Sequence, residues 1–216
     1  MKKNSKITQS VQRNTLSAKQ RILVAAAELI AASGYAGVGI RKIAEQAGVN
    51  ISMISYYFGG KIGILKSIME DYNNEMFSIF LKVKEKNLTF EDGIKLFVKH
   101  VIDLGQRKES ICKVAMMEIP YEIPEIREHK KKLMNENMKV MEEPMKKYLN
   151  VENLKEHLII GPLLMGMIFS NFLFVAPSKE YLGLNLDEKF YKRYAEIISN
   201  FALYGITGYK NNINKK

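Results

Sequence analysis

Apolar and polar positions alternate along the chain with the period of amphipathic helices. Between Ser17 and Ser33, the residues Ile22, Leu23, Ala26, Leu29 and Ile30 recur at three- and four-residue spacing, with Lys19, Arg21 and Glu28 between them. Ser17 stands at an N-cap position and Gly34 at a helix-ending one. The same spacing predicts two short helices over 40–47 and 51–58. Ile43, Ala44 and Ala47 line the inner side of the first. Val49, Ile54 and Phe58 line that of the second. Between them Gly48 supplies a residue tolerant of positive φ, and Asn50 supplies the next cap. This is a helix–turn–helix. Another helix opens at Lys61 and continues through Ile64, Leu65, Ile68, Met69, Tyr72 and Met76 to about Lys86.

Downstream, Thr89 caps a helix through Ile94, Phe97, Val98, Val101 and Leu104, ending near Gly105. Glu109 to Ile119 places Ile111, Val114, Ala115 and Glu118 on one stripe. Pro120 and Pro124 bracket a turn. Pro124 to Leu149 reads as a long charged helix, and Pro144 predicts a kink or a break in it. Leu158 to Ala176 is a run of 19 residues in which only Ser170 and Asn171 are plainly polar. Its length allows a membrane span. A helix apolar on all sides can equally be buried in a helical protein. The interruption at Gly161–Pro162 and the amphipathic character of every other segment favour burial. Leu184 to Tyr209 predicts a last helix carrying Phe190, Tyr194, Ile197, Ile198, Phe201 and Tyr204. The expected class is all-α: a basic tail over 1–16, a three-helix helix–turn–helix domain over 17–62, and a helical regulatory and dimerisation body over 63–216 entered by the long helix.

Composition adds a charge asymmetry. Of the net charge of +10 over 216 residues, +8 falls within residues 1–66, which hold ten basic and two acidic side chains. A basic head on a nearly neutral body is the footprint of nucleic-acid binding. Charge alone would also fit a plain solvated surface; the helix–turn–helix on the same segment favours DNA. Residues 1–16 have two open readings, a basic arm reaching phosphates or a minor groove and a solvated tail. Cys112 is the single cysteine, so no internal disulfide can form, as fits a reducing cytoplasm. The first 20 residues hold no apolar leader.

The candidate chemistry lies on the second short helix. With Val49, Ile54 and Phe58 inward, Ile51, Ser52, Ser55 and Tyr56 lie outward, a face of mostly small residues suited to a major groove about 12 Å wide. Tyr57 and Lys61 sit at its far end, where phosphate would pass. Arg41 and Asn50 complete the DNA-contact candidates. No arginine, asparagine or glutamine stands mid-helix, so DNA binding is predicted without a base preference. Packing within the domain is the competing reading for Tyr56 and Tyr57.

These residues resemble the TetR family of bacterial transcription regulators. The stretch IAEQAGVNISMISYYFGGKIGIL matches the family pattern at Ile43, Ala44, Ala47, Gly48, Val49, Asn50, Ile54, Tyr56, Tyr57, Phe58, Lys61 and Ile64 or Leu65. Three positions depart from it. Gly39 stands where a capping threonine is usual, Ser55 where tyrosine or asparagine is common, and Ile62 where an acid is. The resemblance implies a homodimer whose last two helices form a four-helix interface. Two heads would then meet two half-sites of a double-stranded DNA operator, about one helical turn apart or a multiple of that. It also implies a cytoplasmic repressor released by a small-molecule effector.

Methionines near aromatics in the body suit an apolar effector. The candidate contacts are Phe97, His100, Met116, Met117, Glu118, Tyr121, Phe169 and Asn171, each with core packing as its competing reading. His100, His129 and His157 show no metal-ligand spacing with one another or with Cys112. The stretch GYAGVG does not match a dinucleotide fingerprint. No catalytic motif is present, so neither an enzyme nor a cofactor is expected. The competing functional readings are an effector-independent or architectural DNA-binding protein controlled by a protein partner, and a membrane-tethered regulator.

Overall fold

The computed structural model describes residues 16–149, 160–176 and 179–213. The tail expected over 1–16 lies outside them, apart from Leu16, as do the first two residues of the apolar run. Among the described residues the chain is all-helical. The elements are α1 (Ala18–Ser33), α2 (Ile40–Ala47), α3 (Ile51–Phe58), α4 (Lys61–Glu85), α5 (Phe90–Arg107), α6 (Glu109–Met117), α7 (Pro124–Leu149), α8 (Ile160–Ser170) with a π-helical continuation (Asn171–Val175), and α9 (Glu188–Ile213). No helix among the described residues is long and apolar enough to cross a membrane.

The chain divides into two compact units. One gathers the residues up to Asn73 with Ser110–Leu133, and the other gathers Asn74–Glu109 with the residues from Met134 onward. The first unit is thus larger than the helix–turn–helix itself. Ile22, Ile30, Ile43, Ile54, Ile64 and Leu65 are wholly buried in one cluster that also takes in Val114 from α6 and Ile126 from α7. Truncating one such isoleucine to alanine costs about 2–5 kcal/mol. The head is therefore held by side chains from α6 and α7 as well as by its own three helices.

Local chemistry sets the boundaries. Ser17 and Gln20 form a reciprocal capping box at the start of α1. Gly48 adopts φ 62°, and the turn after α2 closes with Val49 N–H on the Ala44 carbonyl at 3.0 Å and Gly48 N–H on that of Glu45 at 3.1 Å. This pair of bonds is a Schellman motif, which needs a left-handed residue. Thr89 caps α5 by accepting from Asp92 N–H.

Three expectations change. Of the kink or break expected at Pro144, the break does not occur, since α7 runs on to Leu149. The last helix begins at Glu188 rather than Leu184, because Asp187 accepts from Phe190 N–H at 2.9 Å and caps it there. It is also bent at Gly205, with φ 64° and ψ −166°. The apolar run is not a single α-helix. After Ser170 it widens into π-helical turns, and Ala176 N–H reaches the Asn171 carbonyl at 2.8 Å.

The cause of that widening is a side chain from α9. In an α-helix Asn171 N–H would donate to the Met167 carbonyl. Here the Tyr194 hydroxyl stands in the ladder, accepting from Asn171 N–H at 3.0 Å and lying 2.7 Å from the Met167 carbonyl, to which it donates. A side chain inserted into the i→i−4 ladder is a recognised cause of such bulges. The second unit also contains a close helix approach. Gly105 of α5 faces Phe172, and a Cβ at that glycine would lie 2.6 Å from the ring's Cζ.

Candidate nucleic-acid interface and effector contacts

The inner and outer faces of α3 separate as their spacing predicts. Ile54 is fully buried, and Phe58 and Val49 pack partly buried against the core. Ser52 and Ser55 are exposed, Ile51 is at the margin of exposure, and Tyr56 is 82% exposed. An exposed tyrosine of this size on a short helix gains nothing from packing inward. Its ring makes one edge contact with Tyr57, centroids 5.0 Å apart. Tyr57 is exposed at 38% and leans on Phe58. Arg41 is exposed on α2.

Asn50 and Ser52 are already partly engaged. The Asn50 side-chain oxygen accepts from Ser52 N–H at 2.9 Å and from the Ser52 hydroxyl at 2.8 Å. This satisfies an orphan donor at the start of α3. The Ser52 hydroxyl proton is thereby committed, and its oxygen lone pairs face outward as acceptors. The Asn50 NH₂ retains its two donors, suited to a phosphate oxygen. Gly39 occupies the N-cap of α2 and supplies no side-chain bond.

Lys61 is turned toward its own domain. Its ammonium donates to the Tyr35 carbonyl and lies 3.9 Å from the Tyr35 ring centroid. Partial burial lowers its pKa from the ordinary value. Two of its three N–H bonds are left for an external acceptor. Another basic residue of the head is structural. The Arg21 guanidinium donates to the carbonyls of Ala47 at 3.0 Å and Leu16 at 3.1 Å. It thus caps the C-terminal end of α2, where carbonyls lack helical partners. A count of charges cannot distinguish such a clamp from a phosphate contact. Lys19 and Lys42, which helical periodicity does not single out, are also exposed on the same unit. Lys19 lies 5.9 Å over the Phe58 ring, beside the end of α3. Their only sequence signal was the charge asymmetry.

The eight effector candidates divide four and four between the two units. Met116, Met117, Glu118 and Tyr121 belong to the first, and Phe97, His100, Phe169 and Asn171 to the second. Met117 and Tyr121 are half exposed and Met116 is 36% exposed, so these three are surface residues on this chain. The reason is register: α6 buries Ile111, Cys112, Val114 and Ala115, which turns its last two methionines outward. Glu118 is half-buried, its carboxylate 3.5 Å from where a Cβ on Gly34 would sit. In the second unit Phe97 and His100 are half-buried, while Phe169 and Asn171 are buried. Burial holds the His100 imidazole below its ordinary pKa, against the pull of Asp103. It is therefore predominantly neutral at neutral pH. Among the described residues no group of three or more His, Cys, Asp or Glu could hold a metal ion.

Comparisons with known proteins agree with this geometry. Residues 22–68 match the family model of bacterial regulatory proteins of the tetR family. The probable HTH-type transcriptional regulator YttP of Bacillus subtilis (strain 168) is 25% identical over 198 residues, spanning 85% of this chain and 91% of that protein. Among solved structures, the fatty acid degradation regulator FadR from Bacillus halodurans aligns with a TM-score of 0.68 at 17% identity, covering 89% of this chain and 97% of that one. FadR from Bacillus subtilis, solved in complex with stearoyl-CoA, aligns with a TM-score of 0.60 at 19% identity, covering 87% of this chain and 98% of that one. At these identities the structural likeness establishes a shared fold, with the helix–turn–helix head and helical body in the same chain order.

Proposed function

We propose that the chain is a bacterial transcription regulator of the TetR family, a homodimeric repressor that leaves its operator when a small, mainly apolar effector binds; the family-model match over residues 22–68 and the similarity to YttP support this reading. The observation that carries the DNA half of this reading is the outer face of α3. Ile51, Ser52, Ser55 and Tyr56 are exposed together on a helix whose opposite side is anchored by Ile54. Such a face offers serine oxygens to base edges and an isoleucine to a thymine methyl, while Tyr57, Lys61, Arg41 and Asn50 supply phosphate contacts.

Two observations support dimerisation through the end of the chain. Leu163 on α8 is 59% exposed and Phe174 on its continuation is 69% exposed, with the exposed Gly161, Pro162 and Gly166 on the same segment. Small residues between large apolar ones allow close helix approach. Tyr204 on α9 is exposed as well.

The effector reading draws on the buried Phe169 and Asn171 in the second unit. It also draws on the stearoyl-CoA complex of the Bacillus subtilis FadR, which makes long-chain acyl compounds the first class to test. Effector binding would bias α4, which begins in the reading head at Lys61 and runs on into the second unit. A coupling of about 1–3 kcal/mol would weaken operator binding about 5–150-fold. The decisive experiment is a gel-shift titration of the purified protein on its own promoter and on random DNA, with sedimentation analysis of mass. Specific retention by a dimer, relieved by an acyl compound, supports the proposal. Equal weak binding to both DNAs sinks it.

A further inference from the structure

At the junction of α8 with its π-helical turns, the backbone and hydroxyl groups are paired through one another. The Ser170 hydroxyl donates to the Met167 carbonyl at 2.7 Å and lies 2.9 Å from the Tyr194 hydroxyl. Tyr194 in turn serves Asn171 N–H and the Met167 carbonyl. The exception is the Asn171 side chain. It is 0% exposed, and both its Oδ1 and its Nδ2 lack a hydrogen-bond partner. A buried primary amide with neither end satisfied is costly and rare. It is also held there by design of the backbone: the inserted Tyr194 hydroxyl sets the turn on which Asn171 sits.

The surroundings define what could pair with it. Residues 158–176 contain no charged side chain. Leu164, Ile168 and Phe169 are buried on the same segment, and Phe172 is pressed against Gly105. A carboxylate brought against this segment would lose its water without gaining a counter-charge from it. A neutral carbonyl or hydroxyl would instead meet an amide that both donates and accepts.

We propose that the Asn171 amide is the polar contact for the effector, and that it selects an apolar molecule bearing a neutral hydrogen-bonding group, such as an ester, thioester, amide or alcohol, over the corresponding carboxylate. This rests on the effector-responsive reading above and specifies its ligand class. The π-helical turns place the amide, and Tyr194 holds those turns in position.

The test uses the full-length protein on its operator with a chain-matched series: methyl laurate, lauramide, lauryl alcohol, laurate and dodecane. The neutral polar members should release DNA at concentrations at least about tenfold lower than both laurate and dodecane. In Asn171→Leu that preference should shrink to within about threefold, while the ligand-free protein melts at the same or a higher temperature, because a same-shaped apolar group relieves the unpaired amide. A lower melting temperature for both Asn171→Leu and Asn171→Ala would overturn the proposal by showing a satisfied structural amide. So would equal potency of dodecane, laurate and the ester on the wild type, which would leave an apolar effector standing but remove this selectivity. If no member releases a specifically bound wild-type protein, the acyl-effector reading falls together with this one. The wild-type series requires no variant to fold.

Discussion

The Lys61 ammonium sits against the face of Tyr35, 3.9 Å from its ring centroid, and donates to that residue's carbonyl. The first residue of α4 is therefore tied to the loop after α1. A cation over an aromatic face adds about 0.5–1 kcal/mol at a partly exposed site. Lys61→Met should lower stability by about 1 kcal/mol, read by urea denaturation. It should also weaken DNA binding about equally for all sequences and reduce the salt slope by about 1. An unchanged slope would assign Lys61 to the fold alone.

Tyr56 separates recognition from stability. It is 82% exposed and contributes no buried surface to the core. Tyr56→Ala should leave the unfolding midpoint within about 0.5 kcal/mol of wild type. Operator affinity should fall by about 1–3 kcal/mol, measured by fluorescence anisotropy. Loss of stability instead would make Tyr56 a packing residue.

Gly39 offers a gain. It caps α2 with φ −96° and ψ 155°, a conformation open to any residue, and a Cβ there meets nothing within 4 Å. Gly39→Thr should raise stability by a few tenths of a kcal/mol through a side-chain cap. The new hydroxyl should also tighten binding to operator and random DNA alike, visible in parallel gel shifts.

Gly105 leaves no room for a Cβ, which would lie 2.6 Å from the Phe172 ring. Phe172 cannot swing freely, since it lies 5.7 Å from Phe169 and is stacked on Tyr191 at 6.5 Å. Gly105→Ala should destabilise by about 1–3 kcal/mol by overpacking. Adding Phe172→Leu should recover part of that loss, which a double-mutant cycle would measure.

Glu75 predicts a pH dependence. Its carboxylate lies 2.9 Å from the Lys108 ammonium and 3.6 Å from the Arg107 guanidinium. The Lys108 hydrogen bond foremost holds its pKa below the ordinary 4.5, with partial burial opposing. A carboxyl depressed in the folded state stabilises fully above its unfolded pKa and loses that contribution as pH falls through the folded one. Lys108→Met should therefore cost up to about 1 kcal/mol at neutral pH, solvent screening included. The gap between variant and wild type should close as pH drops below the ordinary carboxylate pKa, followed by denaturation at several pH values.

How much of this was legible beforehand depended on the range of the interaction responsible. The helix–turn–helix was readable to the residue, because its determinants are local. Gly48 is needed for a left-handed turn, Asn50 for a cap four residues before the first buried apolar position, and Ile54 for the core. The outer face of α3 followed from the same period. The outward turn of the α6 methionines was not legible, because periodicity alone does not fix which flank of the stripe of Ile111, Cys112, Val114 and Ala115 faces solvent.

What the chain alone determined was therefore its class, its reading head and the exposed face of α3, since contacts three or four residues apart dictate these. Only the tertiary structure decided the rest. Arg21 became a clamp on Ala47 and Lys61 a partner of Tyr35, each across 26 residues. Tyr194 opened the end of α8 from 23 residues away and left the Asn171 amide buried and unpaired. A hydroxyl entering a helix from another element leaves no periodic trace in the sequence, because its partner is fixed by packing and not by spacing.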